Sequence, residues 1–249
     1  MKKFSKIIIA NWKMQMDSEE SIALAVKLVK LLAKNNIGKK EIVVCPSFLA
    51  LSEVAKILKP SRISLGAQDT FYQEEGAFTG EVSPENLKEI GCQYVIVGHS
   101  ERRAMGETDK LINKKFLAVL KEKMLPIICV GETLAERKSG QSEKVILRQI
   151  NKATLGISKN QNFILAYEPV WSISTSNSGQ VISVLEASKM ISLIKINLSK
   201  KFTNFSLIYG GSVDKKSIVN FAKIKGVKGF LVGGASLKAK SFVELIKNL

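Results

Sequence analysis

The sequence predicts an α/β protein in which eight parallel strands alternate with helices and close into a (β/α)8 barrel. Three observations favour this fold class: eight short runs rich in β-branched residues recur, the runs are almost wholly apolar, and stretches of helical period separate them. Strands that are apolar on both faces are typical of a buried parallel sheet. Eight strand–helix units also suit a chain of 249 residues, so we expect one domain over residues 1–249.

The elements can be located in chain order. The candidate strands are KIIIA, EIVVC, RISLGA, YVIVG, PIICV, FILAY, SLIYG and GFLVG. The first helix is predicted from Asp17 to Leu32, because one face is apolar and Asp17 and Glu20 have the spacing of a capping pair. A second helix is predicted between Ser83 and Gly91, with a proline in its first turn and the glycine just past its end. The segment SFVELIKNL is expected to form the final helix.

An open, doubly wound sheet is the alternative architecture. It requires a glycine-rich turn after the first strand, and the segment ANWKMQM supplies no glycine. The barrel is therefore the favoured prediction.

The composition is that of a globular protein, with 45% hydrophobic and 24% charged residues. The thiols of Cys45, Cys92 and Cys129 lie far apart in apolar runs, which indicates core thiols in a reducing compartment rather than disulfides or a metal site. The apolar run IIIA near the N-terminus is too short for a signal peptide, and no stretch approaches a membrane span. We expect a cytoplasmic protein without a membrane partner.

The net charge of +16 raises the possibility of nucleic-acid binding. Only five of the 38 basic residues are arginine, however, and the lysines are spread along the whole chain. Arginine is the residue that base readout and bidentate phosphate contacts favour. The pattern therefore favours lysines on solvated helix faces, with no specific nucleic-acid partner and a positive field that attracts a small anionic substrate.

Unusual polar residues stand where predicted strands end, which is where barrel enzymes carry their active sites. Asn11 and Lys13 follow the first strand, His99 follows the fourth, and Glu168 follows the sixth. Each alone has a structural explanation, such as a buried histidine with satisfied hydrogen bonds or a glutamate that ends a strand. We expect all of them to converge on one end of the barrel.

Two glycine pairs follow the seventh and eighth strands, in IYGGSV and FLVGGASL. Backbone N–H groups at such turns bind phosphate, although one glycine pair alone would only indicate a tight turn. A base, a cation, an imidazole and a phosphate site together predict proton abstraction beside a carbonyl on a small phosphorylated sugar.

The chain resembles the triosephosphate isomerase family. The motifs ANWKM, GAFTGEVSP, VGHSERR, CVGE, AYEPVW, YGGSV and LVGGASL are similar to the family's motifs in order and spacing along essentially the whole chain. The resemblance implies a TIM barrel that interconverts dihydroxyacetone phosphate and D-glyceraldehyde 3-phosphate. It implies no metal and no organic cofactor.

The resemblance also implies a role for each matching residue, taken from the family's known chemistry. Glu168 would be the base, His99 a neutral hydrogen-bond donor to the enediolate oxygen, Lys13 a fixed positive charge, and Asn11 a group that positions the oxygen. Glu101 would orient Lys13. The backbone N–H groups that would bind phosphate belong to Ser174, Gly211, Ser212, Gly233 and Gly234.

Residues 169–179 resemble the family's lid loop, which closes over the substrate and excludes water. Pro169 would stiffen its first hinge, Trp171 would be part of the loop, and Ile173 with Leu231 would press on the Glu168 carboxylate. The family pattern AIGTGKT is replaced by SISTSNS, from Ser172 onward, with Ser174, Ser176 and Asn177 in place of two glycines and a lysine. We expect an active enzyme with altered lid kinetics; an unchanged turnover number after Ser174→Gly and Ser176→Gly would contradict this.

The segment QDTFYQEEGAFTGEVS resembles the long loop with which family members buttress a neighbouring subunit. Gln68, Phe78 and Thr79 stand where those contacts would be made. A connection this long between a strand and a helix predicts a function, although an ordinary surface loop is the alternative. We expect a homodimer.

Three other functions remain as alternatives. The first is another phosphosugar isomerase or epimerase, because many activities share this fold. The second is a noncatalytic relative that acts as a binding or scaffold protein, although that would predict loss of the base or of the histidine. The third is a nucleic-acid binder that uses the basic surface.

Overall fold

The protein is described by a computed structural model that covers residues 6–173 and 180–249. Eight strands pair in parallel in chain order, and the first strand pairs with the last, so the sheet is a closed barrel. The strands are β1 Ile7–Asn11, β2 Glu41–Cys45, β3 Ile63–Ala67, β4 Tyr94–Val97, β5 Leu125–Val130, β6 Phe163–Tyr167, β7 Phe205–Tyr209 and β8 Val227–Val232. The predicted fold class and all eight predicted strands are confirmed, with ends that differ by at most two residues.

Ten α-helices are described around the barrel. They are α1 Ser18–Ala33, α2 Phe48–Leu58, α3 Pro84–Ile90, α4 Ser100–Ala104, α5 Asp109–Lys121, α6 Leu134–Lys138, α7 Ser142–Ala153, α8 Val184–Lys201, α9 Ser217–Ala222 and α10 Ala239–Lys247. Short 3₁₀ helices lie at Val170–Ser172 and Gly234–Ser236. None of the described helices is both long and apolar enough to cross a membrane.

The predicted helix signals form the expected caps. The Asp17 carboxylate accepts a hydrogen bond from the Glu20 N–H at 2.8 Å, and the Glu20 carboxylate accepts one from the Asp17 N–H at 3.1 Å. These reciprocal bonds satisfy two N–H groups that a helix start leaves without partners. At the end of α3, Gly91 has φ +106°, a left-handed conformation that glycine adopts without steric cost.

The strands are buried on both faces because two hydrophobic layers meet at the sheet. In β1, Ile7 and Ile9 belong to the apolar cluster inside the barrel, and Ile8 and Ala10 belong to the cluster between strands and helices. This alternation follows from the two-residue period of a strand. Because every strand is parallel, all strands end at the same side of the molecule, which we call the mouth, and all begin at the opposite side, which we call the base.

Candidate active site

A cavity of about 260 Å³ opens at the mouth. Its walls come from the segments that follow β1, β4, β6, β7 and β8, because the ends of parallel strands meet at one edge of the barrel. The predicted site residues that line it are Asn11, Lys13, His99, Glu168, Ile173, Gly211, Ser212, Leu231, Gly233 and Gly234. The structure therefore brings together the four polar side chains from strand ends and the two glycine pairs.

Lys13 lies on a constrained segment of backbone directly after β1. Its φ is +55°, a left-handed value that is uncommon for a residue other than glycine. The Asn11 side-chain oxygen accepts a hydrogen bond from the Lys13 N–H at 3.0 Å, and the Gln68 amide donates to the Lys13 carbonyl at 2.9 Å. These two bonds hold the strained turn, and strain of this kind is typical of functional positions.

The Lys13 ammonium donates a hydrogen bond to the Glu101 carboxylate, with 2.6 Å between Nζ and Oε1. Glu101 lies in the first turn of α4, directly after His99 and Ser100. The lysine side chain is mostly buried, so this charge-assisted bond directs the ammonium toward the cavity wall at Gly233. Glu101 contacts Lys13 and is not part of the lining of the cavity.

His99 is the N-cap of α4, and its hydrogen bonds define its tautomer. The Glu101 N–H donates to His99 Nδ1 at 3.2 Å, so Nδ1 acts as an acceptor and carries no proton. We therefore assign the proton of a neutral imidazole to Nε2. Nε2 lies 3.2 Å from Oε1 of Glu168, which makes this carboxylate its acceptor.

Glu168 follows β6 and is almost fully buried, with 2% of the residue exposed. Its second carboxylate oxygen accepts a hydrogen bond from the Ser100 N–H at 3.3 Å. The start of α4 thus supplies both donors, the His99 side chain and the Ser100 backbone. Two donors compensate the loss of hydration that burial imposes on a carboxylate.

The three cysteines are free and buried, as the sequence predicts. Burial raises the pKa of the Cys92 thiol to about 12. Burial and the neighbouring Glu168 carboxylate together raise the pKa of Cys129 well above its ordinary value. These thiols stay protonated at neutral pH, so Cys129 adds no second negative charge beside Glu168.

Trp171, which lies in the segment predicted to begin the lid, is 3% exposed. Its indole N–H donates to the Glu132 carboxylate at 2.8 Å, and the Arg137 guanidinium stacks over its ring at 4.0 Å. Burial raises the pKa of Glu132, while the hydrogen bonds from Trp171 and Tyr167 oppose that shift. Glu132 follows the fifth predicted strand, and a carboxylate at the end of a strand is the sequence signal that points to it.

A hydrogen bond joins the segment after β6 to the segment before α8. The Ile182 N–H donates to Oγ of Ser172 at 2.8 Å. Pro169 is buried. Ile173 and Leu231, the two apolar side chains predicted to flank the Glu168 carboxylate, both line the cavity. The predictions for Ser174, Ser176 and Asn177 lie outside the described residues.

The three residues predicted to contact a neighbouring subunit differ in their exposure and in their partners within the chain. Phe78 is 40% exposed and packs on Phe71, with 4.7 Å between ring centres, and Thr79 is exposed. The Gln68 amide donates within the chain, to the carbonyls of Lys13 and Cys45. Gln68 therefore connects the long loop to the backbone of the cavity.

No group of three His, Cys, Asp or Glu side chains within residues 6–173 and 180–249 is arranged to hold a metal ion. The chemistry of the described cavity lies in one buried carboxylate, one imidazole N–H, one ammonium group and the glycine-rich turns. Such a set suits proton transfer on a small anionic substrate.

Comparison with known proteins agrees with this geometry. The family model described as triosephosphate isomerase matches residues 6–249. Proteins named triosephosphate isomerase are similar over nearly their whole length: that of Thermoanaerobacter pseudethanolicus is 40% identical, with 96% of this chain and 98% of the relative covered, and that of Dictyoglomus turgidum is 42% identical, with 98% and 99% covered.

A solved structure gives the same result at the level of the fold. The crystal structure of triosephosphate isomerase from Bartonella henselae superposes with a TM-score of 0.87 at 31% sequence identity. The superposition covers 98% of this chain and 99% of that chain. On its fold, its sequence and its relatives, this chain belongs to the triosephosphate isomerase family.

Proposed function

We propose that this protein is a cofactor-independent isomerase that interconverts dihydroxyacetone phosphate and D-glyceraldehyde 3-phosphate, with Glu168 as the base. The observation that carries the proposal is the convergence of Asn11, Lys13, His99 and Glu168 on one cavity with the glycine turns after β7 and β8. The family to which the chain belongs supports the choice of substrates.

The proposed reaction moves one proton between neighbouring carbons. The Glu168 carboxylate takes a proton from the carbon beside the carbonyl, which produces an enediolate, and returns a proton to the adjacent carbon. The Nε2–H of His99 donates to the oxygen on which negative charge develops, and the Lys13 ammonium stabilises that charge. A proton moves between the two oxygens of the enediolate, so the product is an isomer of the substrate.

The hydrogen bond between His99 and Glu168 supports an order of events. With Nε2 and Oε1 only 3.2 Å apart, the single N–H of the imidazole is used by the carboxylate. When Glu168 turns toward the substrate carbon, it leaves this donor and the Ser100 N–H. One rotation of the Glu168 side chain therefore brings its carboxylate to the substrate carbon and frees the imidazole N–H for the substrate oxygen.

Substrate phosphate is proposed to bind the backbone N–H groups of Gly211, Ser212, Gly233 and Gly234, with Ser174 as the lid's contribution. Glycine and serine turns admit an anion close to the backbone. The lid that begins at Pro169 is proposed to close over the intermediate and exclude water.

A homodimer is proposed as the functional unit. Exposed apolar side chains lie on the mouth segments that follow β1 to β4, which are Met14, Phe48, Leu49, Phe78 and Met105. Apolar groups gathered on one sector of a surface are typical of subunit interfaces. The three buried, unpaired thiols support the further proposal of a reducing, cytoplasmic location.

The function is tested by a steady-state assay with glyceraldehyde 3-phosphate and detection of dihydroxyacetone phosphate. We expect turnover by the unmodified protein and a fall in kcat of about 10²- to 10⁴-fold in Glu168→Gln. Glu53→Gln is the matched control, because Glu53 is exposed on α2 and absent from the cavity lining. A folded protein that turns over only a larger sugar phosphate, or nothing, would contradict the proposal.

A further inference from the structure

We propose that the base of the barrel is a binding surface for double-stranded nucleic acid, which it holds through the phosphate backbone without sequence preference. The inference concerns the side of the molecule opposite the catalytic cavity and does not depend on the proposed isomerase reaction. It rests on where the fold places charges that are scattered along the sequence.

The parallel topology gathers every helix-to-strand connection at the base. Within the described residues these connections hold ten lysine or arginine side chains and a single carboxylate, that of Glu122. The cations are Lys6, before β1, and those of segments 34–40, 59–62, 122–124, 154–162 and 223–226. At the starts of the strands, Lys228 adds another exposed ammonium group and Glu41 adds a half-buried carboxylate.

The mouth has the opposite balance. The strand-to-helix connections in residues 6–173 and 180–249 hold eight carboxylates and four lysines. The positive charge of the base therefore exceeds what an even distribution of the net charge would give. Lysine is enriched at this end of the barrel, and acidic residues are enriched at the other. A surface of one sign focuses its field on that end of the molecule.

The cations of the base are not neutralised by neighbouring carboxylates. The ion pairs of the described residues lie at the mouth, on the long loop or on the sides of helices, and none involves Lys34, Lys39, Lys223, Lys225 or Lys228. Burial and the positive charge of Lys228 lower the pKa of Lys6. The Lys6 ammonium itself donates to the carbonyls of Ala222 and Val227, so the charges offered to a polyanion are those of the other, exposed cations.

A groove of about 530 Å³ runs along the edge of this surface. Its lining consists of Ser192, Lys195, Ile196, Ser199, Lys200 and Lys225. Three ammonium groups with two neighbouring hydroxyls match the donors that proteins direct at phosphate oxygens. The groove extends the basic surface along the side of α8, where these exposed donors can meet one stretch of a phosphate backbone.

The residue types at the base favour a duplex over other polyanions. Proteins bind single strands by stacking bases on aromatic side chains, and membrane-surface segments insert aromatic or apolar groups. In the described helix-to-strand connections, however, the exposed large apolar side chain is Leu155, and no aromatic side chain is among those exposed. Lysine acts as a point charge toward phosphate, without base readout.

The test is fluorescence anisotropy with a short, labelled DNA duplex at several salt concentrations. The base variant combines three substitutions: Lys200→Glu, Lys225→Glu and Lys228→Glu. The control variant combines three others: Lys110→Glu, Lys144→Glu and Lys240→Glu. The control residues are exposed lysines in the first turns of α5, α7 and α10, near the mouth. Both variants replace three lysines by glutamate, so the net charge of the protein changes equally in the two. The melting temperature of each variant reports that both are folded.

We expect the base variant to bind at least about tenfold more weakly and its salt slope to fall by about three, roughly 0.9 for each lost phosphate contact. The control variant should stay within about twofold of the unmodified protein. A parallel variant with glutamine at the three base positions should show a smaller loss of the same kind, since it removes charge without adding repulsion.

Three results would overturn the inference. Equal losses in the base and control variants would show that net charge alone attracts the duplex. Tighter binding of single strands, or binding of phosphatidylserine vesicles without binding of the duplex, would assign the surface to another partner. Failure of the unmodified protein to bind at about 150 mM salt would remove the function altogether.

Discussion

At the residue scale, the position of Glu168 depends on two neighbouring glycines. A Cβ atom at Gly131 would lie 1.7 Å from the Glu168 carbonyl oxygen, and one at Gly210 would lie 2.7 Å from Cγ of Glu168. Both distances are far below van der Waals contact. These glycines are required by the close approach of Glu168 to the strands on either side of it.

We predict that Gly210→Ala reduces kcat by about 10- to 100-fold. The new methyl group displaces the Glu168 side chain, and small displacements of a catalytic group have effects of this size. The measurement is kcat and KM in the steady-state assay, with the melting temperature as a check on folding.

A double-mutant cycle separates this steric cause from general damage. Alanine lacks the Cγ atom that the new methyl group would meet, so Gly210→Ala should reduce the residual kcat much less when Glu168→Ala is already present. An equal reduction in both backgrounds would mean that the methyl group acts elsewhere.

The sequence predicted single residues best where a polar group ends an apolar strand. Asn11, His99 and Glu168 were selected on that pattern, and each lines the cavity. Glu132 also follows an apolar strand, but its partners Tyr167 and Trp171 lie 35 and 39 residues further along the chain. A hydrogen bond across that interval has no local sequence signal.

At the scale of elements, Arg137 links α6, Trp171 and α8. Its guanidinium stacks on Trp171 and donates to the Glu186 carboxylate at 2.5 Å. That bond and the hydrogen bonds from Ser183 lower the pKa of Glu186 to about 2. Glu186 also completes the capping box of α8 with Ser183.

We predict that Glu186→Gln lowers the free energy of unfolding at pH 7 by at most about 1 kcal/mol, since its side chain is 42% exposed. The pKa is depressed in the folded state, so the stabilisation is present above the ordinary value of 4.5 and is lost as pH falls toward about 2. Urea unfolding should show the difference between the two proteins narrowing below pH 4.5.

Glu136→Gln is the matched control for this prediction. Glu136 occupies the same position in the capping box of α6, and none of the described ion pairs involves it. Glutamine preserves a capping box, so this variant should show little change at either pH. A loss as large as that of Glu186→Gln would assign the effect to the caps instead of the Arg137 ion pair.

At the scale of the whole molecule, the exposed apolar side chains after β1 to β4 form the interface of the proposed dimer. We predict that Phe78→Glu converts a dimer into a monomer and lowers kcat by at least about tenfold, because a buried charge without a partner opposes association. Analytical ultracentrifugation over a range of concentrations, with the assay on the same samples, gives both quantities.

Leu117→Glu is the control for the dimer prediction. Leu117 lies on α5 and is 38% exposed, against 40% for Phe78, so the two substitutions introduce charge at equally exposed apolar positions. The control should remain dimeric and active. An unmodified protein that is monomeric at micromolar concentration and fully active would contradict the proposal.

The sequence by itself determined the strands, the principal caps and the family, because these depend on local periodicity, turn chemistry and ordered motifs. It also indicated which polar residues would meet, since parallel strands necessarily end on one side. Only the tertiary structure decided the tautomer of His99, the dependence of Glu168 on Gly210, and the segregation of charge between base and mouth. These features arise from contacts between residues far apart in the chain. Lysines that are spread along the sequence become neighbours only because a closed parallel barrel brings every second connection to the same end.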